Sequence, residues 1–163
     1  MRTAIYELNF DGELLERGFW LYVWEITTPS QTHLYYVGRT GDSSSDNAQS
    51  PFNRMAQHLG FNEKSNPLRR YLRGEGVAPE KCNFRLVAHG PIVKEAGSPH
   101  AHRERRDRVS AMEKALATTM TAVGYRVMNR VNCRIEVDAQ MFKTVRAAFT
   151  TWFPKLANSV EKR

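Results

Sequence analysis

Hydrophobic and polar positions along the chain fall into short strand-like and helix-like runs with turn residues between them. Trp20 to Ile26 is aromatic and β-branched on both faces, broken only by Glu25, which is the pattern of a strand buried on both sides and therefore central in a sheet. A loop from Thr27 to Gln31, with Pro29 and Ser30, leads to a partner strand from Thr32 to Val37. Pairing Ile26 with Thr32 and Trp24 with Leu34 sets Tyr22 opposite Tyr36, and any register of that parity keeps both phenols on one face. The alternation in Asn83 to Gly90 predicts a third strand, and Ala4 to Phe10 reads as an edge strand or arm ahead of a short helical or turn segment.

Helix signals fill the remainder. After a polar loop at 43–49, Ser50-Pro51 supplies a capping hydroxyl and a proline at the first helical position, and Gly60 ends the run after Leu59. Asn66, Pro67 and Gly74 repeat that grammar around a second short helix. Residues 94–108 read as a solvated basic stretch leading through Ser98-Pro99 into a long helix that ends at Gly124. Its apolar stripe is Val109, Met112, Leu116, Met120 and Val123, and Glu113 falls inside it. Val127, Val131 and Ile135 suggest irregular or extended chain, Asp138 caps a last helix that Pro154 stops, and a charged tail follows.

Length and charge narrow the reading. At 163 residues the chain is expected to form one domain, 1–163, with a core that needs no disulfide or metal. Cys82 and Cys133 lie far apart without CxxC spacing, which argues against thiolate zinc and disulfide frameworks, and the default expectation is the reducing cytoplasm. No run approaches membrane-spanning length, so no membrane partner is expected. Lys and Arg total 24 against 17 Asp and Glu, for a net charge of +7. The excess is uneven: residues 1–37 carry two arginines against five acids, a net of −3, so the later part carries +10. That asymmetry favours a polyanion, and nucleic acid first.

Among residues able to carry chemistry, Glu113 breaks a local rule, because a carboxylate on a buried stripe needs a partner. A salt bridge to an arginine and ligation of a hard cation both satisfy it. Arg54 and His58, four apart on one helix, offer a guanidinium for a phosphate and an imidazole that moves protons near neutral pH. Tyr22, Tyr35 and Tyr36 are either amphipathic core residues or, if Arg39, Arg54 and His58 depress a phenol's pKa, bases. His89, His100 and His102 sit amid positive charge, which opposes a histidine metal site. Arg103, Arg105, Arg106 and Arg108 form either a solvated helix start or a phosphate-tracking patch.

Taken in order, these residues resemble the GIY-YIG nuclease superfamily. Trp20-Leu21-Tyr22 stands at the first motif and Tyr36-Val37-Gly38 at the second, followed by Arg54 and His58 on the next helix, Glu113 on a later one and Asn129 beyond it. Trp20 takes the place of the first glycine, Val37 that of the second isoleucine, and the gap between the motifs is longer than usual. Asn132 competes with Asn129, which is preferred for the apolar run before it. The resemblance implies an α/β (α+β) fold, with a small three-stranded antiparallel sheet flanked by helices. Its core spans about 19–135, with an N-terminal arm at 1–18 and an extra C-terminal helix and tail at 136–163. It further implies a metal-dependent endonuclease acting on phosphodiester bonds, with double-stranded DNA as the expected substrate and Mg²⁺ or Mn²⁺ as cofactor. Tyr22 would be the base, aided by His58 or Tyr36. Arg54 and Arg39 would neutralise phosphoryl charge, Glu113 would hold the metal, and Asn129 would orient Glu113 or the backbone. Gly38 would let the substrate backbone approach, with Arg103, Arg105 and Arg106 as further contacts. A homodimer would allow both strands of a duplex to be cut. The competing expectation is a non-catalytic nucleic-acid-binding or interaction module on the same scaffold.

Overall fold

The computed structural model describes residues 4–41, 47–62, 66–95 and 97–159. Most of the polar loop expected at 43–49, and the end of the expected charged tail from 160 on, lie outside them. The described residues form a mixed α+β structure, with strands β1 (Phe19–Thr27), β2 (His33–Arg39) and β3 (Asn83–Val93). The helices are α1 (Pro51–Leu59), α2 (Pro67–Gly74), α3 (Pro99–Ala122) and α4 (Ala139–Thr150). Ala4 to Phe10 is an exposed arm without strand pairing, ahead of a 3₁₀ turn at Gly12–Leu15.

The sheet is antiparallel in the order β2-β1-β3, so the strand that is apolar on both faces is the central one. Its hairpin register differs by two residues from the expected one: Ile26 faces Leu34, Trp24 faces Tyr36 and Tyr22 faces Gly38. The turn is the cause. The Thr28 and Thr32 backbones pair, and Gln31 takes the left-handed φ of 61° that a three-residue loop needs, so the hinge falls one residue later. A shift of two preserves parity, and both tyrosines still share one face.

That face packs Tyr22, Trp24, Ile26, Leu34 and Tyr36 against Leu68 and Leu72 of α2, with Met55 and Leu59 of α1 at the margin. The opposite face sets Phe19, Leu21, Val23 and Val37 against Val109, Met112, Leu116 and Met120 of α3, and Val145 and Phe149 of α4. The caps read from sequence are formed at three helices: Ser50 accepts from Asn53 N–H, Ser98 from Ala101 N–H and Asp138 from Met141 N–H. Asn66 differs. Its Nδ2 donates backwards to the carbonyls of Gly60 (2.8 Å) and Asn62 (2.5 Å), closing the α1–α2 connection instead of capping α2.

Two surface expectations are corrected. The basic stretch is helical from Pro99, as its start signal predicts, but it is not solvated throughout: His102 is buried, with its ring 5.1 Å from that of Phe19. Beyond α4 the chain turns through Pro154–Asn158, and Phe153 and Leu156 are buried in the core, so this segment is not a solvated tail. Among the described residues, no helix is long and apolar enough to cross a membrane.

Candidate active site

The two faces of the sheet meet at the C-terminal end of β2, and the polar side chains singled out by sequence collect there from four elements. From β1, the phenol oxygen of Tyr22 lies 2.5 Å from Nε2 of His58 on α1 and 3.3 Å from the carbonyl oxygen of Arg39, so its single O–H can turn to either acceptor. Both rings are about 1% exposed. Arg54, one helical turn before His58, hydrogen-bonds to the same phenol. Its Nη1 also donates to Gln57 at 2.7 Å, which steadies the guanidinium on the helix surface.

From the other face, Nε of Arg39 donates to Oε2 of Glu113 on α3 at 3.0 Å, and its Nη1 to the carbonyl of Gly41. Arg39 and Glu113 retain 15% and 13% side-chain exposure, so this ion pair lies between core and solvent. Burial pushes the Glu113 carboxyl up to about 7 even though Arg39 and then Arg54 pull it down. The arginine bridge is therefore real, and it leaves the carboxyl short of full compensation. One such carboxylate suits a hard divalent cation that draws its other ligands from water and phosphate oxygens. Among the described residues, no group of three or more His, Cys, Asp or Glu side chains gathers as a self-sufficient metal cage.

The tyrosines titrate in the direction opposite to the one a free phenolate base requires. Burial raises the pKa of Tyr22 well above the usual phenol range, and the opposing pull of Arg54 and Arg39 does not offset it. Tyr36 is raised too, by burial and then by Tyr22, with its ring 5.1 Å from His58 and 5.9 Å from Tyr71. Tyr35 lies on the other face, pushed up to about 12 by burial and by Glu25.

Gly38 is required by packing. A Cβ there would sit 2.4 Å from the Tyr22 ring, so the missing side chain is the floor on which the phenol lies. Asn129 bonds to the backbone of β2. Its Oδ1 accepts from Val37 N–H at 3.0 Å and its Nδ2 donates to Val37 C=O at 2.7 Å, so the side chain imitates a strand along the outer edge of β2. It orients backbone, one of its two expected roles, and Asn132 is exposed.

Of the arginines at the start of α3, Arg105, Arg106 and Arg108 have partners within the chain. Arg105 donates to the carbonyls of Lys94 and Glu95, both at 2.6 Å, and Arg106 pairs with Asp107 at 2.8 Å. Arg103 is exposed. Two residues that sequence reading missed support the site. Gln57 positions Arg54, and its spacing of three on the helix was available as a signal. Thr40, fully buried, accepts from Trp20 N–H at 2.8 Å and donates to the Gly18 carbonyl at 2.5 Å, which pins the strand ends carrying Tyr22 and Arg39. Nothing in the local sequence announces that contact.

No protein-family model matches the chain, and no curated protein or solved structure shows significant similarity to it. The functional reading therefore rests on the residues of the site.

Proposed function

We propose that the chain is a metal-dependent endonuclease of GIY-YIG type that hydrolyses phosphodiester bonds in DNA. The observation that carries this reading is the 2.5 Å contact between the Tyr22 hydroxyl and His58 Nε2, set beside Arg54 and the Arg39–Glu113 pair. Buried phenols bound to an imidazole are uncommon as mere core filling, since two apolar side chains would fill that space without polar groups to satisfy.

Because burial holds Tyr22 protonated, it acts through a relay. As a water oxygen attacks phosphorus, the water's proton passes to the Tyr22 oxygen while the tyrosine's own proton moves to Nε2 of His58. The bond from phosphorus to the 3′ oxygen breaks, and that oxygen leaves protonated by solvent. Arg54 and Arg39 meet the charge growing on the non-bridging oxygens. Glu113 would hold Mg²⁺ or Mn²⁺, which when bound supplies Lewis-acid stabilisation of the developing charge. Arg39 restrains the Glu113 carboxylate in place, and the chain's net charge of +7 draws DNA to the surface.

The Arg39–Glu113 bond also fits the competing reading, a binding module in which the pair is structural. Incubation with supercoiled plasmid distinguishes them. The wild type is expected to nick DNA with Mg²⁺ and not with EDTA, and Tyr22→Phe and Glu113→Ala are expected to bind without nicking. Equal nicking by all three proteins would sink the mechanism, and binding without cleavage by any of them would establish the module.

A further inference from the structure

The structure carries two unsatisfied features that complement each other. The first is the outer edge of β3. Thr28 N–H bonds to Thr32 and Thr40 N–H to Trp20, so even-numbered residues of β1 exchange hydrogen bonds with β2 and odd-numbered ones with β3. In β3 the odd positions 85, 87 and 89 therefore face β1, while the backbone N–H and C=O of Leu86 and Ala88 point away from the sheet. No hydrogen bond joins these outward groups to another described residue. A groove runs along this edge from Arg85 to Gly90, walled by Leu14 and Trp20 on one side and the half-exposed Trp152 on the other.

The second feature is the arm. Ile5, Tyr6 and Leu8 are 100%, 90% and 71% exposed, and Phe10 is 43% exposed. Tyr6, Leu8 and Phe10 recur with the period of a strand, and Asn9 bonds to Glu7 two residues earlier at 2.9 Å, so these polar positions share the opposite face with Ile5. The arm does not cover its own β3. Phe10 packs on Phe52 of α1, ring centroids 4.9 Å apart, and none of residues 4–10 lines the groove, whose nearest wall in sequence is Asp11.

We propose that the outer edge of β3 receives residues 4–10 of a second copy as an added strand, and that reciprocal exchange of the arms makes a two-fold homodimer. Main-chain bonds to Leu86 and Ala88 supply the register, and the groove takes the apolar side chains. The size is sufficient. At roughly 150 Å² per large side chain, Ile5, Tyr6 and Leu8 from each arm bring about 900 Å² to the interface while Phe10 stays on Phe52 as the anchor, and the matching area lost by the receiving grooves carries the total into the range of a stable complex. The exchange is isologous, so it closes at two copies instead of growing into a filament. It stands independently of the nuclease reading, although two sites in one particle are what cutting both strands of a duplex requires.

Sedimentation equilibrium over a wide concentration range tests it without reference to cleavage. The wild type is expected to be a dimer. Removal of residues 1–10, or Tyr6→Glu with Leu8→Glu, is expected to weaken it about a hundredfold or more. Ala88→Pro removes one outward N–H and leaves the β1 ladder intact, which an edge strand tolerates, and it is expected to do the same with unchanged circular dichroism. Mixed together, the armless chain, which keeps its edge, and Ala88→Pro, which keeps its arm, are expected to recover a heterodimer. A wild type that stays monomeric, or a dimer that persists without residues 1–10, overturns the proposal. So does a monomer in which the arm protects its own Leu86 and Ala88 amides from hydrogen exchange.

Discussion

The two faces of the sheet are built from one strand with alternating residues, yet they solve different problems. The face toward α3 and α4 is filled by Leu21, Val23, Leu116, Met120 and Phe149, and its energetics are those of excluded water and close packing. The face toward α1 and α2 buries Tyr22, Tyr36 and His58, whose polar atoms must be matched one by one. Volume-conserving change costs little on the first face, whereas on the second the loss of the Tyr22 hydroxyl removes a partner of His58.

Substitution on each face separates the two. Tyr22→Phe is expected to lower the cleavage rate by about 10²- to 10⁴-fold, as loss of a proton-transfer group does, while stability shifts by only about 1 kcal/mol. Leu116→Ala is expected to cost about 2–5 kcal/mol of stability and to leave the rate per folded molecule unchanged. Urea unfolding beside plasmid nicking reads both, and a rate loss on the apolar face equal to that on the tyrosine face would dissolve the distinction.

Glu113, where the faces meet, is expected to make stability depend on pH. Its folded pKa of about 7 lies above the ordinary 4.5, so the folded state holds the extra proton across that window. The contribution of Glu113 to stability is then greatest below about 4.5, falls as pH rises, and has lost about 3 kcal/mol above about 7 in metal-free buffer. Glu113→Gln is expected to flatten this contribution, and Mg²⁺ to shrink it in the wild type. A wild-type profile identical to that of the glutamine variant would contradict the buried carboxyl.

Smaller effects probe the floor and the edge of the site. Gly38→Ala puts a methyl into the Tyr22 ring and is expected to cost about 1–3 kcal/mol and to slow cleavage, because the phenol must move. Asn129→Ala leaves the Val37 N–H and C=O without their partner and is expected to cost about 1–3 kcal/mol, with cleavage changed only as far as β2 loosens. A fall in rate without a fall in stability would move Asn129 into the chemistry.

Strand parity, the helix starts at Ser50, Ser98 and Asp138, and the central place of the strand at Trp20–Ile26 were legible because each depends on local geometry or on a period of two. The residue types of the site were legible for the same reason: Tyr22 and Tyr36 share a face in any register of one parity, and Arg54 and His58 share a helical turn. Tertiary structure decided what those groups are next to. It placed Tyr22 over Gly38 through a turn closed by Gln31, bonded Arg39 to Glu113 across 74 positions, and turned Asn129 into a surrogate strand 92 positions from Val37. It also decided how the tyrosines titrate. The number of arginines near a phenol is written in the sequence, but the depth at which the phenol is buried is not, and here desolvation outweighs the charges.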